Sequence, residues 1–440
     1  SHQAELAIIG LGYVGLPLAT AFARAGFYVV GIDVDEARVE AVNRGQSYIQ
    51  DVPSEVLAQL VRQAKGLVAT SDYAALAACD VIFICVPTPF DDHKTPDLSY
   101  IVAAGQGIAG HLRAGHLVVL QSTTYPGTTE EVVQPVLEQS GLRAGVDFHL
   151  AFSPERVDPG NTRWTVDNTP KVVGGLTPAC TELAATLLEQ INPQVHRVSS
   201  PGVAEMCKLL ENTFRSVNIA LVNELALLAE RLGLDVWEVI EAAATKPFGF
   251  MPFYPGPGVG GHCIPVDPYF LSWKAREYDF HTRFIELAAE TNQRMPYHIV
   301  ELIARALGER GRGLRGAKVL ALGAAFKPDI DDARNAPSER VMQLLLARGT
   351  EVTYHDPYVP RLEFRASAFY GGEQVLYSTP LDEALLRAQD CVAILVSHRS
   401  LDYGWIAEHS PLVVDTVNAT RGLPDPHHKI VRLGVGVWPG

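Results

Sequence analysis

The amino-acid sequence predicts an α/β protein in which two doubly wound domains flank a segment of long helices. Short apolar strand patterns alternate with helical patterns towards both ends of the chain, and an almost unbroken helical pattern covers residues 202–232. A chain of 440 residues is also too long for one ordinary core. We therefore expect three domains, at residues 3–200, 201–310 and 314–440.

The first domain begins with a strand, a glycine-rich turn, a helix and a second strand. The first strand is predicted at residues 6–9, and the helix at 16–25, where Gly26 ends it. The second strand is predicted at 27–32. Further apolar strands are predicted at residues 81–86, 117–121 and 148–152. Strands that alternate with helices in this way form a parallel, doubly wound sheet.

The central segment contains helices that are too long to be crossovers between neighbouring strands. They are predicted at residues 202–232 and 284–307. Exposed faces of such helices often form subunit contacts, so we expect a homodimer or a higher homo-oligomer. The polar, glycine-rich stretch 308–313 is predicted to be a linker. Beyond it, strands are predicted at residues 317–322, 351–355, 391–396 and 412–415, and a helix at 338–348.

Composition and charge exclude several classes of protein. The formal net charge of −14 argues against a nucleic-acid partner and against binding to an anionic membrane surface. There is no run of about 18 uncharged apolar residues and no basic region before an apolar one at the N-terminus. We therefore expect neither a transmembrane helix nor a signal peptide. The six cysteines have no CxxC or zinc-type spacing, so no metal site is expected, and a reducing, cytoplasmic location fits.

The turn after the first strand carries a dinucleotide-binding pattern, Gly10-Leu11-Gly12-Tyr13-Val14-Gly15. In this pattern Gly10 permits the tight turn, Gly12 lets the backbone approach a pyrophosphate, and Gly15 allows close packing of the helix. The helix N-terminus adds N–H groups and positive potential. Because a predicted strand precedes the pattern and a predicted helix follows it, the pattern favours a cofactor site over a mere tight turn.

Asp33 ends the second strand, where a carboxylate binds the adenosine ribose of a dinucleotide. Its charge repels a 2′-phosphate, so the expected cofactor is NAD and not NADP. Arg38 lies on the following helix and could either favour a 2′-phosphate or serve the adenosine face.

Polar residues follow three strands at the edge of the sheet where doubly wound folds bind ligands. Pro87 and Thr88 follow one strand, and Thr123 follows the next. Their polar groups could contact ribose, nicotinamide or a catalytic water, or they could be ordinary strand-end caps. Glu155 follows a third strand and could be a general base or hold an ordered water. It could equally form a surface salt bridge with Arg156.

Lys208 and Asn212 are four residues apart on the long helix and therefore share one face. Their neighbours are mostly apolar. The pair could place a cation and an amide beside a developing alkoxide, or it could form a solvated strip.

The loop at 253–268 is the most informative segment, because it is rich in glycine and proline and contains Cys263. A small molecule can reach a thiol in such a loop, although free cysteines are usually buried. A nucleophilic thiol together with a nicotinamide cofactor suggests oxidation beyond the aldehyde, with the acyl group held as a thioester. Asp267 could hydrogen-bond near the thiol or position water. His262 is interpreted as structural, because adjacent side chains of an extended segment point apart.

Residues 324–334 follow the first strand of the last domain and contain no GxGxxG pattern. We therefore do not expect this domain to bind a dinucleotide in the standard way. Lys327 and Arg334 could bind phosphate, or the segment could be an ordinary charged loop.

Together these motifs resemble the UDP-glucose/GDP-mannose dehydrogenase family over essentially the whole chain. The matching motifs are Gly-Leu-Gly-Tyr-Val-Gly at 10–15, Ser-Pro-Glu at 153–155, Lys208 with Asn212, Gly-Gly-His-Cys-Ile-Pro-Val-Asp-Pro at 260–268, and Phe-Lys at 326–327. The resemblance implies an N-terminal Rossmann-type NAD domain, a central long-helix domain and a C-terminal Rossmann-like nucleotide-sugar domain. It also implies a four-electron oxidation of a nucleotide-sugar C6 alcohol to the carboxylate, with two NAD consumed.

The resemblance also implies roles for individual residues. Cys263 would be the nucleophile, and Lys208 and Asn212 would stabilise the oxyanion. Thr123, Glu155 and Asp267 would hold or activate water, with Glu155 acting in thioester hydrolysis. The expected NAD contacts are Gly10, Gly12, Tyr13, Val14, Gly15, Asp33, Arg38, Pro87, Thr88 and Thr123. The expected substrate contacts are Glu155, Lys208, Asn212, Phe253, Tyr254, Gly260 and Lys327.

The choice of sugar rests on finer sequence detail. Residues 153–161 and 254–268 look most like the branch of the family that acts on UDP-N-acetylglucosamine, whose product would feed surface-polysaccharide synthesis. The alternative substrates are UDP-N-acetylgalactosamine, UDP-N-acetylmannosamine and UDP-glucose. Pro159 stands where many UDP-glucose enzymes have a second glutamate, and Val417 stands where relatives often have arginine. A substrate contact from the latter position would be missing or supplied elsewhere, for instance by Arg421.

Two other interpretations stay open at this point. A single-step 3-hydroxyacid dehydrogenase also pairs a dinucleotide domain with a helical domain that bears lysine and asparagine, but it needs neither Cys263 nor the last domain. A nucleotide-sensing regulator would bind NAD or a UDP-sugar and form no NADH.

Overall fold

The computed structural model describes residues 4–64, 66–91, 95–158, 160–161, 163–364 and 374–436. The chain divides into two compact units, of which the first comprises Ser1–Glu211 with Tyr269–His281 and the second comprises Asn212–Pro268 with Thr282–Gly440. The predicted linker at 308–313 lies inside the second unit, and the boundaries of the three domains stay a prediction. Pro159, one of the two departures from the family pattern, lies outside the described residues.

A sheet forms the centre of the first unit. Its strands are β1 (Glu5–Ile9), β2 (Tyr28–Ile32), β3 (Leu67–Thr70), β4 (Val81–Ile84), β5 (Leu117–Leu120), β6 (His149–Phe152), β7 (Lys171–Gly175) and β8 (Val195–Arg197). They lie in the order β3-β2-β1-β4-β5-β6-β7-β8. Neighbouring strands are parallel except β6 and β7, which run antiparallel with Phe152 opposite Gly174.

The strands predicted for this sheet are parallel, as expected, and the antiparallel strand β7 was not predicted. Parallel neighbours need a crossover connection, which is usually a helix. The described residues between β6 and β7 form no helix. The chain therefore returns in the opposite direction, and Lys171, the first residue of β7, lies at the edge of the sheet where β6 ends.

Helices pack on this sheet, and apolar side chains are buried on both of its faces. The helices are α1 (Gly15–Arg24), α2 (Glu36–Asn43), α3 (Ser54–Val61), α4 (Ser99–Ala109), α5 (Gln134–Leu137) and α6 (Pro178–Leu188). Leu6 of β1 shares a buried cluster with Phe22 of α1, whereas its neighbour Ala7 shares another with Ile101 of α4. Successive side chains of a strand point to opposite faces, so β1 is buried on both sides, as a doubly wound sheet requires.

Helices follow the first sheet, as predicted. The two long ones are α7 (Pro201–Leu232) and α10 (Arg283–Gly308), and the shorter ones are α8 (Val236–Ala244) and α9 (Asp267–Ala275). The predictions at 202–232 and 284–307 agree with α7 and α10, whereas α8 and α9 were not predicted. Within the described part of the chain, no helix combines the length and the apolar character that crossing a bilayer requires.

The second unit contains another parallel sheet. Its strands are β9 (Lys318–Leu322), β10 (Glu351–His355), β13 (Cys391–Ile394), β14 (Val413–Asp415) and β15 (Ile430–Arg432), in the order β10-β9-β13-β14-β15. A separate antiparallel pair is formed by β11 (Arg361–Phe364) and β12 (Gln374–Tyr377). The helices are α11 (Pro337–Ala347), α12 (Glu383–Arg387) and α13 (Tyr403–His409). The strand and helix patterns predicted after residue 314 are confirmed, while the β11–β12 pair was not foreseen.

Candidate active site

The glycine turn between β1 and α1 has the geometry that a phosphate-binding turn needs. Gly10 has a φ of +90°, and a Cβ there would lie 2.7 Å from the carbonyl oxygen of Cys85. A Cβ on Gly15 would lie 1.8 Å from the carbonyl oxygen of Gly10, whereas one on Gly12 would meet no atom within 4 Å. The chain's own packing therefore requires Gly10 and Gly15. Gly12 instead leaves the backbone accessible, which fits a pyrophosphate at the start of α1.

Asp33 is buried directly after β2 and fixes this turn. Its Oδ2 accepts the N–H of Leu11 at 2.8 Å, and its Oδ1 accepts the N–H of Asp35 at 3.0 Å. The Arg38 guanidinium lies 3.5 Å from both the Asp33 and the Asp35 carboxylates. Arg38 is thus paired with two carboxylates, and the pattern that predicts a ribose-binding acid fits the position of Asp33.

Tyr48 is a contact to the same turn that sequence reasoning missed. Its hydroxyl donates to the carbonyl oxygen of Leu11 at 2.7 Å, and the Arg38 guanidinium lies over its ring at 5.9 Å from the centroid. Burial, followed by the Asp33 carboxylate, raises the pKa of Tyr48, so the phenol stays protonated and donates at neutral pH. Leu11 is therefore held through its N–H by Asp33 and through its carbonyl by Tyr48.

The ends of β4 and β5 meet through a hydrogen bond between two predicted site residues. Thr88 donates its hydroxyl to the carbonyl oxygen of Thr123 at 2.7 Å. Thr88 is buried, Thr123 is half-buried and Pro87 is exposed. At the start of α1, Tyr13 is exposed and Val14 is half-buried. The structure thus brings together Thr88 and Thr123, which the sequence placed only at separate strand ends.

Glu155 forms a buried ion pair with Lys171. The ammonium donates to Oε2 at 2.8 Å and to Oε1 at 3.1 Å. The backbone N–H groups of Arg156 and Val157 also donate to Oε1, at 2.7 and 3.0 Å, and the Gln121 amide donates to Oε2 at 3.2 Å. Burial raises the pKa of Glu155, but the Lys171 charge and these hydrogen bonds outweigh it and hold the pKa below its usual value. The carboxylate is therefore ionised at neutral pH.

The Arg156 side chain points elsewhere, so the salt bridge between Glu155 and Arg156 considered from the sequence is not formed. One guanidinium nitrogen donates to the Glu211 carboxylate at 2.5 Å, and another donates to the carbonyl oxygen of Pro170 at 2.8 Å. The loop after β6 is thereby attached to α7 and to the residue before β7.

Lys208 and Asn212 are buried on α7, with exposed fractions of 8% and 7%. The alternative of a solvated strip is therefore wrong. The Asn212 amide nitrogen donates to Oδ2 of Asp267, the buried first residue of α9, at 2.5 Å. Two predicted catalytic residues that are distant in sequence, Asn212 and Asp267, are thus in direct contact within the second unit.

Cys263 is exposed, as its glycine- and proline-rich loop predicts. Its carbonyl oxygen accepts the N–H groups of Val266 and Asp267 at 3.0 and 2.8 Å, so the chain turns into α9 directly after the thiol. Burial, followed by the Arg334 guanidinium, lowers the pKa of His262. The imidazole is therefore neutral at neutral pH.

The loop before Cys263 packs against the segment that carries Lys327. A Cβ on Gly260 would lie 2.8 Å from the Cβ of Phe326, so only glycine fits there. The N–H of Gly261 donates to the carbonyl oxygen of Arg334 at 3.0 Å. The Lys327 ammonium lies 5.9 Å from the centre of the Phe326 ring. The second unit therefore holds the cysteine loop and the Phe-Lys motif in contact.

Aromatic side chains hold the start of the cysteine loop. The Phe253 ring lies 5.6 Å from that of Phe214 on α7, and the Tyr254 ring stacks on Trp237 of α8 at 6.1 Å. Tyr254 is half exposed, so one face of its ring is open to a ligand. These contacts place both predicted substrate residues on a support made by α7 and α8.

Two candidate cations are already in ion pairs. Arg334 pairs with Asp332, and Arg421 pairs with Glu241, both at 2.6 Å. A phosphate could bind either guanidinium only in competition with that carboxylate. Arg421 is therefore not a simple replacement for the arginine that relatives have at the position of Val417.

Family models match the chain in the order of its motifs. The NAD binding domain of the UDP-glucose/GDP-mannose dehydrogenase family matches residues 4–192. The central domain of that family matches residues 202–294, and its UDP binding domain matches residues 320–422. Together the three matches cover most of the chain.

Similar proteins are named for different N-acetylated sugars. A UDP-N-acetyl-D-glucosamine 6-dehydrogenase of Pseudomonas aeruginosa is 39% identical over 396 residues, which is 90% of each chain. An NDP-N-acetyl-D-galactosaminuronic acid dehydrogenase of Ralstonia nicotianae is 36% identical over 93% of this chain and 95% of its own. The solved structure of a UDP-D-ManNAc dehydrogenase from Pyrococcus horikoshii is 33% identical and has a TM-score of 0.88, covering 99% of this chain and all of that one.

Proposed function

Because this chain belongs to the UDP-glucose/GDP-mannose dehydrogenase family, we propose that it oxidises the C6 hydroxyl of UDP-N-acetylglucosamine to the carboxylate. Family membership makes it an NAD-dependent nucleotide-sugar dehydrogenase with a UDP-binding domain and removes the 3-hydroxyacid alternative. The observation that carries the choice of sugar is the 39% identity with the Pseudomonas aeruginosa UDP-N-acetyl-D-glucosamine 6-dehydrogenase.

The proposed reaction has two oxidations and one hydrolysis. NAD, held by the glycine turn and Asp33, would supply the hydride acceptor for both oxidations. After the first, the Cys263 thiolate adds to the C6 aldehyde carbon, and Lys208 and Asn212 stabilise the resulting oxyanion until loss of the second hydride leaves a thioester. In the hydrolysis, Glu155 takes a proton from water, the water oxygen bonds to the acyl carbon, and the C–S bond breaks to release the acid and the thiolate.

The contact between Asn212 and Asp267 supports this division of roles. Asp267 accepts one amide hydrogen of Asn212 and fixes the orientation of the amide. The other amide hydrogen can then be donated to a substrate oxygen. In the proposal, Thr123 holds a water through its hydroxyl beside the NAD contacts formed by the glycine turn and Asp33.

UDP-N-acetylmannosamine is the second candidate substrate. The solved UDP-D-ManNAc dehydrogenase from Pyrococcus horikoshii aligns with 99% of this chain at a TM-score of 0.88. Its identity of 33% is close enough to the 39% of the glucosamine enzyme that only a direct assay separates the two sugars.

We also propose that the protein is a cytoplasmic homodimer joined through α7, and that its product feeds surface-polysaccharide synthesis. Exposed apolar side chains recur at helical spacing along α7 and would be buried by a second copy. They are Val203, Met206, Leu210, Phe214, Leu221, Leu225, Leu228 and Leu232. Light scattering on the purified protein tests the dimer, and Leu225→Glu is expected to shift it towards monomer.

The decisive experiment measures NADH formed per sugar consumed, with purified protein, NAD and a panel of UDP-sugars. Two NADH per sugar, fastest with UDP-N-acetylglucosamine, is the expected result. Two NADH with another sugar would keep the chemistry and change the substrate. One NADH per sugar, or none, would contradict the thioester pathway or the activity itself.

Cys263→Ser tests the nucleophile. It should slow acid formation by at least about 10³-fold, because a serine hydroxyl without an adjacent base is a poor nucleophile at neutral pH. Mass spectrometry of the intact wild-type protein with substrate should detect an acyl adduct that this variant lacks. Cys391→Ser is the control, because Cys391 is a buried thiol of β13. Sustained acid production by Cys263→Ser would exclude the thioester.

A further inference from the structure

Lys171 is a buried cation whose position follows from the reversed direction of β7. Phe152 lies opposite Gly174 in the antiparallel pair, and the same register, continued past the end of β6, puts Lys171 opposite Glu155. A parallel strand would instead begin at the other edge of the sheet. Because β7 runs antiparallel to β6, the Lys171 ammonium lies at the edge of the sheet where doubly wound folds bind ligands.

The ion pair between Lys171 and Glu155 is buried and held in place by neighbouring residues, unlike a mobile ion pair at the surface. The side chain of Lys171 is 0% exposed and that of Glu155 is 11% exposed. Ser153 and Arg156 donate to the carbonyl oxygens of the residues on either side of Lys171, both at 2.8 Å. These contacts fix the backbone around the carboxylate, so Glu155 has one orientation.

We propose that Lys171 is the positioning residue for the hydrolytic step, keeping Glu155 ionised and correctly oriented to take a proton from water. This inference rests on the proposed function. Without the ammonium, burial would favour the protonated carboxyl, which cannot act as a base. After the transfer, the same positive charge favours release of the proton from Glu155. Nothing is oxidised or reduced in this step, since the C–O bond to water forms, the proton goes to Glu155, and the C–S bond breaks with its electron pair on the Cys263 thiolate.

The test compares Lys171→Met with Lys171→Arg and with a matched control. Lys274 is also almost buried in the first unit, with a side chain 7% exposed, and it pairs with Glu131 and Glu277. Lys274→Met therefore removes a buried ammonium that has no part in the proposed hydrolysis. Stopped-flow NADH traces and steady-state rates of acid formation across a pH range give the readouts.

Lys171→Met should still form a burst of two NADH per subunit, because both oxidations precede hydrolysis. Its subsequent turnover at neutral pH should be about 10²-fold slower than wild type, with an acid limb displaced to higher pH. The ratio kcat/KM should be unchanged, because it reports the steps up to the thioester. Lys171→Arg should recover most of the rate, and Lys274→Met should keep the wild-type profile. A Lys171→Met enzyme with the wild-type acid limb and hydrolysis rate would overturn the inference.

A second comparison covers the case in which Lys171→Met does not fold. The double variant Glu155→Gln/Lys171→Met removes both charges and should hydrolyse the thioester at the rate of Glu155→Gln alone, because Lys171 acts only through Glu155. A further loss in the double variant would overturn the inference. Failure of the wild-type protein to form acid from any UDP-sugar would contradict the proposed function instead, which separates the two failures.

Discussion

In each sheet a turn and a helix connect the first two strands and an aspartate follows the second, yet the two aspartates are used differently. A glycine with positive φ follows the first strand in both, Gly10 at +90° and Gly323 at +93°. Its N–H donates to the last carbonyl of the second strand, at 2.7 and 2.9 Å. An aspartate then follows that strand, and Asp33 and Asp356 each accept the N–H of the residue after the glycine, at 2.8 and 2.6 Å.

The difference lies in what else each aspartate contacts. Asp356 accepts four backbone N–H groups and the Nε2 of His398, and its side chain is 0% exposed. Because Nδ1 of His398 accepts the N–H of Asp329 at 3.0 Å, Nε2 is the nitrogen that donates to Asp356. Asp356 is therefore a structural anchor, whereas Asp33 occupies the position of a ribose-binding acid.

The two turns also differ in the space that they leave beside the backbone. Two residues after Gly10 the first turn has Gly12, where a Cβ would meet no atom within 4 Å. Two residues after Gly323 the second turn has Ala325, which is fully buried. The same backbone framework is thus bare at Gly12 in the first turn and filled by a packed side chain at Ala325 in the second. This supports the expectation that the second sheet does not bind a dinucleotide in the standard way.

Among the substitutions that test this comparison, Gly10→Ala should have the largest effect, which is a loss of stability in the first unit. The alanine would have to adopt a φ of +90° with its Cβ 2.7 Å from the Cys85 carbonyl oxygen. We expect the free energy of unfolding of the first unit to fall by about 3 kcal/mol. Urea denaturation followed by circular dichroism measures the loss.

Gly12→Ala is the matched control. Since its Cβ would meet no atom of the chain, stability should change by less than about 0.5 kcal/mol while the Kd for NAD rises. Equal destabilisation by the two alanines would mean that Gly12, too, is required for packing and would weaken its assignment to the pyrophosphate.

Asp356→Asn should have the next largest effect, on the second unit. Burial raises the pKa of Asp356, but His398 and the backbone N–H groups outweigh it and lower the pKa to about 2. Against an unfolded value of about 3.9, this shift corresponds to between about 2 and 3 kcal/mol at neutral pH. Because the folded pKa is depressed, the contribution is fully present above about pH 4 and is lost as the pH falls towards about 2.

Urea unfolding of Asp356→Asn at several pH values measures that contribution. The variant should be less stable than wild type near neutral pH and should approach wild-type stability in acid. Asp33→Asn is the comparison in the first unit, where the expected effect is weaker NAD binding. If the free energy of unfolding differed between Asp356→Asn and wild type by the same amount at all pH values, the result would contradict an ionised, stabilising carboxylate.

The parts of the site that the sequence predicted are those encoded locally. Gly10 and Asp33 lie in one continuous strand–turn–helix–strand pattern, and the surroundings of Cys263 are visible in its own loop. Lys171 and Tyr48 were missed because their partners lie 16 and 37 residues away. The direction of β7, which brings Lys171 to Glu155, depends on how the chain returns to the sheet, and no residue pattern within β7 reports it.

Tyr48→Phe should have the smallest effect on stability of these substitutions. It tests the comparison of the two turns at a single hydrogen bond. It removes one hydrogen bond, to the carbonyl oxygen of Leu11, and keeps the ring beneath Arg38. We expect a loss of about 1 kcal/mol in stability and a higher Kd for NAD, measured by calorimetry.

Tyr354 provides the counterpart in the second unit, because its buried hydroxyl donates to the carbonyl oxygen of Val359 at 3.0 Å, beside Asp356. Tyr354→Phe should cost similar stability and leave NAD binding unchanged. If Tyr48→Phe also left NAD binding unchanged, Asp33 alone would be sufficient to shape the turn. The two hydroxyls would then have the same purely structural role, and only the bare Gly12 would distinguish the first turn from its counterpart.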